Sequence, residues 1–582
     1  MKYLRPMSPD FEDIFRHERS VPECGGPPSH LRSNAKTTAD AETKFISIRG
    51  ECEGGFCTNI LRPKLQRTGA LRDASRAATI TPGRASVPGG VNFPGAVLIV
   101  GLMFLLGGCA VGPDFVRPAA PDTDRYTREP QPAATVVADG LAQQFTPGAT
   151  IPSDWWRLFG SAALDTVVWQ AITNNPTLQA TEATLRQSQD NLRAGYGVFY
   201  PHVEADVSGT RQRVSSAETG SAAPGHTFNL VTASGTVNYA LDVFGGSRRT
   251  VESLRAQADY QRYESQAACL TLTANVVNTC IARAAYAAEI RATEELIGLE
   301  TEQLQLAEVQ VSAGTAAYAS VLNLRSQIAA NQALLAPLRQ DVSQTEHLLA
   351  TLEGVNPAQV VLPDIDLAGL LLPANLPVSL PSELVHQRPD ILAAEAQMHA
   401  ASAKIGVATA AMFPSFNLSG TYGTAGSSFG NLSALAAASG QFWSIGPSAT
   451  IPVFQGTSLW FGRKAAMDVY RQTQDSYRAT VLGAFAQVAD SLTALAQDAA
   501  ALQAQVNARN ADGEALDLVR VNYHAGLVAY PDVLTSDVQC HEATLVYLAA
   551  VGQRHQDTVA LFAAVGGGWW NAPQPAGKGG AP

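Results

Sequence analysis

NNPTLQATEATL, residues 174–185, returns as QRPDILAAEAQM, residues 387–398, with Pro176 answering to Pro389. The echo continues along the chain. VFYPHVEADVSGT (198–210) returns as AMFPSFNLSGTYG (411–423), and LDVFGGSRR (241–249) as IPVFQGTSL (451–459). AGTAAYASVLNLRSQ (313–327) returns as AGLVAYPDVLTSDVQ (525–539), at an offset near 212 residues throughout. A fixed long period marks a tandem duplication, so whatever one half builds, the other builds again. A Pro-rich stretch, residues 354–381, separates the halves and reads as a linker.

Each half carries two stretches of alternating character. Val203, Ala205 and Val207 interleave with Glu204, Asp206 and Ser208, and in 230–243 Val231, Ala233, Val237 and Tyr239 interleave with Thr232, Ser234, Thr236 and Asn238. The second half repeats the pattern with Phe416, Leu418 and Tyr422, then with Trp443, Ile445 and Ala449. This is the two-residue period of a sheet apolar on one face and polar on the other. Between the strands lie proline-free runs, 246–313 and 457–525, rich in Ala, Leu, Gln and Glu. As continuous helices each is about 100 Å long, against a hydrocarbon core of about 30 Å. Ile297, Leu304 and Val311 form one seven-residue row, and Leu299, Leu306 and Ala313 another on nearly the opposite side. A helix apolar on two sides packs between two neighbours, like a stave in a cylinder.

The apolar run 96–106, which leads into the cysteine of LIVGLMFLLGGCAVGPDF (98–115), is too short for a bilayer span and has the length of a signal-peptide core. Arg62, Lys64, Arg67, Arg72, Arg76 and Arg84 precede it against the single acid Asp73, the positive flank of an export signal. Leu106-Gly107-Gly108-Cys109 resembles a bacterial lipobox, which implies lipid attachment at Cys109. Ala110, where an aspartate would retain a lipoprotein inside, implies transport to the outer membrane by the same resemblance. The expected organisation is a non-native or disordered extension (1–60), a signal region (61–108) and a lipidated N-terminal segment (109–153). Repeat 1 (154–353), the linker (354–381), repeat 2 (382–566) and a flexible tail (567–582) follow. Export makes a membrane sheet with lipid outside and water inside available. Four strands cannot close a barrel, and open edges cannot face lipid, so other copies must supply the rest; three copies give twelve strands.

Acids outnumber bases, 51 to 40, for a net charge of −11, and nothing suggests a nucleic-acid partner. Cys24, Cys52 and Cys57 match no zinc spacing, and Cys269, Cys280 and Cys540 read as small core residues. Enzyme motifs fail on context. GSSFG (426–430) falls between two amphipathic strands rather than between a buried strand and a helix, HEATL (541–545) lacks a second histidine, and no phosphate loop is present. No cofactor is called for, and the chain does not read as an enzyme.

Taken together, LLGGCAVGPDF, DWWRLFGSAALD (154–165), RPDILAAEAQM, LDVFGGSRR, the duplicated AGxxAY and the closing GGGWW resemble the TolC/OprM superfamily of outer-membrane factors, in its NodT-type efflux lipoprotein branch. The resemblance spans about residues 100–570. It implies an α+β membrane protein, a homotrimer with four transmembrane β-strands per subunit in a twelve-stranded β-barrel, continued by a periplasmic α-helical barrel of coiled-coil helices. It also implies a periplasmic adaptor, an inner-membrane RND-type pump, and export of drugs or other toxic small molecules. The hairpin turns at Gly314-Thr315 and Gly526-Leu527-Val528 would meet the adaptor, and Tyr523 and Asp532 would constrict the pore. Ser320, Val528 and Thr535 depart from a charged latch, and Asp532 reads equally as complement to a helix N-terminus after Pro531. Two rival readings are a type I protein secretion channel and a non-conducting envelope lipoprotein.

Overall fold

The structure, a computed structural model, describes residues 110–572 apart from 216, 218–223 and 428–439. Cys109, the signal region, most of GSSFG and the tail beyond 572 lie outside the described residues.

The duplication is visible element by element. Repeat 1 runs α1 (Ala162–Asn174), α2 (Pro176–Gly195), β2 (His202–Val214), β3 (His226–Leu241), α3 (Gly246–Ser312) and α4 (Tyr318–Glu353). Repeat 2 runs α5 (Pro381–Gln387), α6 (Pro389–Ala410), β5 (Ser415–Gly426), β6 (Gln441–Thr450), α7 (Ser458–His524) and α8 (Tyr530–Ala564). The matched prolines Pro176 and Pro389 open α2 and α6, where a missing N–H costs nothing because the first helical amides have no intrahelical acceptor. Asn175 adds a cap, its side chain accepting from Leu178 N–H at 2.9 Å. The two proline-free runs become α3 and α7, 67 residues each, ending within about a residue of the expected limits. α3 packs against α2, α4, α6 and α8, and α7 against α6 and α8.

The strands of both repeats join in one antiparallel sheet of order β2-β3-β5-β6, with unbroken register from His202↔Asn238 to Ser415↔Thr450. A second sheet is unforeseen. β1 (Gln144–Pro147) pairs in parallel with β4 (Asn375–Val378), which lies inside the stretch read as a linker. That stretch is a packed strap, with Ile365, Leu367, Leu370, Leu376 and Val378 buried. Its prolines keep the backbone extended while the intervening leucines and valines anchor it, and Pro377 is tolerated because β4 borders only one strand.

The core gathers where α1, α3, α8 and this strap meet, around Trp155, Phe159, Leu164, Ile281 and Phe562. Trp155 stacks on Phe562 with ring centroids 5.3 Å apart. Cys280 belongs to this core, Cys269 packs against it and Cys540 is half-buried; all three are free thiols. Burial pushes the Cys280 thiol up to about 12. Lower on α3 the two heptad rows part company. Leu304 and Val311 pack on Val321 and Leu324 of α4, whereas Leu299 and Leu306 remain 44% and 60% exposed.

Candidate functional site

The register sorts every described strand residue onto one of two faces, because directly paired residues share a face and neighbours along a strand alternate. One face carries Val203, Val207, Val237, Tyr239, Leu241, Phe416, Leu418, Tyr422, Trp443 and Ile445. The other carries Glu204, Asp206, Ser208, Thr236, Asn238, Asn417, Ser419, Thr421, Ser444 and Ser448. Thr236 and Thr421 hydroxyls meet at 3.2 Å on this polar side. The apolar residues stand bare, Trp443 at 73%, Ile445 at 71% and Val207 at 80% exposure. A water-soluble sheet would cover such a face. β2 and β6 lie at opposite edges of the sheet, each hydrogen-bonded to one neighbouring strand.

At the far end of the long helices, Gly314 and Gly526 turn the two hairpins with φ of 74° and 73°, the left-handed region that glycine enters without cost. Thr315 Oγ1 donates to Gln310 O at 2.9 Å, closing the first turn, while Leu527 projects 74% exposed from the second. Tyr523 is half-buried, its ring 5.4 Å from that of Tyr530. Asp532 is exposed and its carboxylate accepts from Ala529 N–H at 2.9 Å, so it caps α8. A cavity of about 420 Å³ opens between the hairpins, lined by Leu306, Ala316, Asn323, Tyr523 and Tyr530 among others.

Behind the tip lies a polar seam that the sequence reading missed. The buried Glu300 of α3 accepts from Asn331 of α4 at 2.9 Å through both oxygens. The buried Asp537 of α8 accepts from Arg520 of α7 at 3.1 Å. Tyr530 donates to Gln303, tying the second hairpin to the first. Burial pushes both carboxyls up, and each is opposed by its own partner. Their signal in sequence was weak, since a lone acid in an Ala-rich helix looks like solvated surface until the packing partner is known.

The segment following Cys109 is held at the other end. Ala110 lies against Gly245, whose φ of 78° bends β3 into α3; a Cβ there would come within 2.5 Å of the Ala110 Cα. Val111 N–H donates to Phe244 O at 3.0 Å. The buried Arg249 reaches Asp114 at 2.6 Å and Glu252 at 2.8 Å, Phe115 stacks on His399, and Arg117 pairs with Glu395 at 2.7 Å. The chain therefore leaves residue 110 at the junction of sheet and helices.

Two carboxyls along the helices carry a pH signature. Burial, then Asp341, pushes Glu289 up to about 7, and burial, then Asp557, does the same to Asp498. Each folded value lies above its unfolded one, so the stability contributed by the protonated acid is complete below about pH 4 and is lost as pH rises through 7. Glu289→Gln is expected to raise the thermal midpoint at pH 8.5 by the equivalent of about 1 kcal/mol and to leave pH 4 nearly unchanged, narrowing the difference between them. Parallel shifts at both pH values would contradict the assignment.

A family profile described as outer membrane efflux protein matches residues 167–355 and again 380–567. The toluene efflux pump outer membrane protein TtgC of Pseudomonas putida is 28% identical over 474 residues, 80% of this chain and 94% of its own. Outer membrane protein OprJ of Pseudomonas aeruginosa is 29% identical over 479 residues, 80% of this chain and 94% of its own. Among solved structures, the outer-membrane channel OprN superposes with a TM-score of 0.70 at 25% identity, over 79% of this chain and all of its own.

Proposed function

Because the chain belongs to the outer membrane efflux protein family, we propose that three copies close one channel, a passive duct for toxic small molecules handed over by an inner-membrane pump. It is an outer-membrane exporter component and not an enzyme. The observation that carries the trimer is the sheet: an apolar face, a polar face and outer edges at β2 and β6. Unpaired backbone groups cannot remain in lipid, and three four-stranded sheets joined β6 to β2 make a twelve-stranded barrel with a polar lumen. The bare Leu299 of α3 is then available to the adjoining subunit of a helical barrel projecting into the periplasm. Lipid on Cys109 agrees with Ala110 sitting where the strands give way to helices.

At the tip, the exposed Gly314, Thr315, Gly526 and Leu527, with the half-buried Val528, form the surface a periplasmic adaptor would grip. Tyr523 narrows the pore there. Asp532 adds its charge at the same level while capping α8. TtgC is named for toluene, and small apolar toxicants are the cargo class that likeness supports.

The test places cysteines at Thr315 and Leu527, leaving the two glycines intact because their backbone angles disfavour a side chain. Cross-linking in cells is expected to recover an adaptor together with an RND-type pump. Recovery of an ATP-driven pump would convert the reading to type I secretion. Only self cross-links would leave a non-conducting rod.

A further inference from the structure

The apolar face of the sheet holds two residues that do not belong in oil. β2 pairs with β3 without a bulge from His202 to Val214, so Arg211 and Arg213 share the face of Val203, Ala205 and Val207. Their cross-strand partners are Asn229 and Thr227, which are polar as well. Among the described residues of the four strands, these two arginines are the sole charges on that face; the carboxylates of this sheet, Glu204 and Asp206, lie on the other. Both arginines are exposed.

Depth decides what they meet. Arg211 stands eight residues beyond Val203, about 26 Å along the strand and about 20 Å in height at a tilt near 40°. Arg213 rises about 5 Å further, to the top of an apolar band about 25 Å tall. β2 begins at the end that joins the helices, so both arginines lie at the opposite end of the sheet. An arginine at mid-bilayer is costly, but that penalty fades at the interface, where the guanidinium forks can reach anionic headgroups. The outer leaflet of an outer membrane is built of phosphorylated glycolipid.

Resting on the barrel reading above, we propose that Arg211 and Arg213 form a binding site on the outside of the barrel for the phosphate groups of an outer-leaflet glycolipid of the lipid A class. Two planar forks two residues apart, about 6.6 Å along one strand, suit a phosphate accepting two hydrogen bonds from each. Asn229 adds a neutral amide beside Arg211 that can reach the sugar hydroxyls. Three copies of the chain would place three such sites around the rim.

The experiment titrates the full-length trimer in detergent with bis-phosphorylated lipid A, dephosphorylated lipid A and phosphatidylglycerol, counting bound lipid by native mass spectrometry. Wild-type protein is expected to bind the bis-phosphorylated form at least about tenfold more tightly than either of the others. R211Q/R213Q is expected to lose that preference, and R211K/R213K to keep part of it, since an ammonium retains the charge without the fork. No preference in wild type, equal binding of phosphatidylglycerol, or an undiminished preference in R211Q/R213Q overturns the site. The three-lipid comparison on wild type decides the matter even where a variant fails to assemble. Flotation of wild type with vesicles separates the two readings. Protein that does not insert at all refutes the barrel, whereas protein that inserts without phosphate preference refutes only the glycolipid site.

Discussion

Gly568→Ala is expected to cost about 3–5 kcal/mol, read as a lowered thermal midpoint. Gly566, Gly567 and Gly568 all hold positive φ, at 96°, 67° and 69°, where the chain leaves α8 and folds back over the Trp155 core. A methyl group at Gly568 would lie 2.4 Å from Ile151 O and 2.7 Å from Pro152 O. Both obstacles are backbone, so neither can swing aside as a side-chain end would. The left-handed angle alone accounts for about 1–2 kcal/mol and the overlap for the remainder. Gly140→Ala is the control. Its φ is 78°, yet nothing lies within 4 Å of the added methyl, so it should register the angle without the clash. If the two variants melt together, the packing against Ile151 and Pro152 is not what the glycine protects.

Arg554→Ala is expected to be comparably damaging, at about 3–5 kcal/mol by thermal or denaturant unfolding. Arg554 of α8 is 1% exposed and holds the N-terminal segment to the helices. Its guanidinium donates to Gln143 Oε1 at 3.1 Å and to the carbonyls of Ala138 and Leu141 at 3.3 Å each. Burial pulls its pKa down, with Asp139 and Asp498 acting against that. Alanine would leave a cavity and strip those acceptors of their donor. Arg554→Met fills the volume but supplies no donor, so it should recover only part of the loss. Limited proteolysis gives a second readout, because residues 133–147 should become the first site of cleavage in either variant. Full resistance there would show that β1 pairing alone fixes the segment.

The large features were legible because each rests on a period. Alternation revealed the strands, the proline-free heptad runs revealed α3 and α7, and the duplication gave their order. Gly314 and Gly526 were readable as turns for the same reason, since each punctuates a long helical run. What stayed hidden depends on contacts between distant segments. β1 and β4 have only four residues each, too few to show a period, and they come from opposite sides of repeat 1. The prolines of 354–381 read as a linker, and only the burial of Leu367 and Leu376 reveals a strap. Arg249, Glu300, Asp537 and Arg554 carry no mark in the sequence, because a buried ion cannot be recognised until its partner is in view. The arginines of β2 sat in plain sight but acquired meaning only when the register fixed which face they share with Val203.

The two edge strands also govern how the protein is made. A newly exported subunit carries two adhesive rims, β2 of 13 residues and β6 of 10, that have no partner until other subunits arrive. Rims of this kind accept any extended peptide that drifts past. In the trimer proposed above, productive joining requires three chains to meet, so its rate would climb steeply with local abundance, whereas capture by a stray strand needs one encounter. Yield is therefore a contest of speeds, decided by how long each subunit waits alone rather than by how stable the finished assembly is. Diluted expression should waste a larger share of the chains than brisk expression does, the reverse of the usual experience with aggregating proteins.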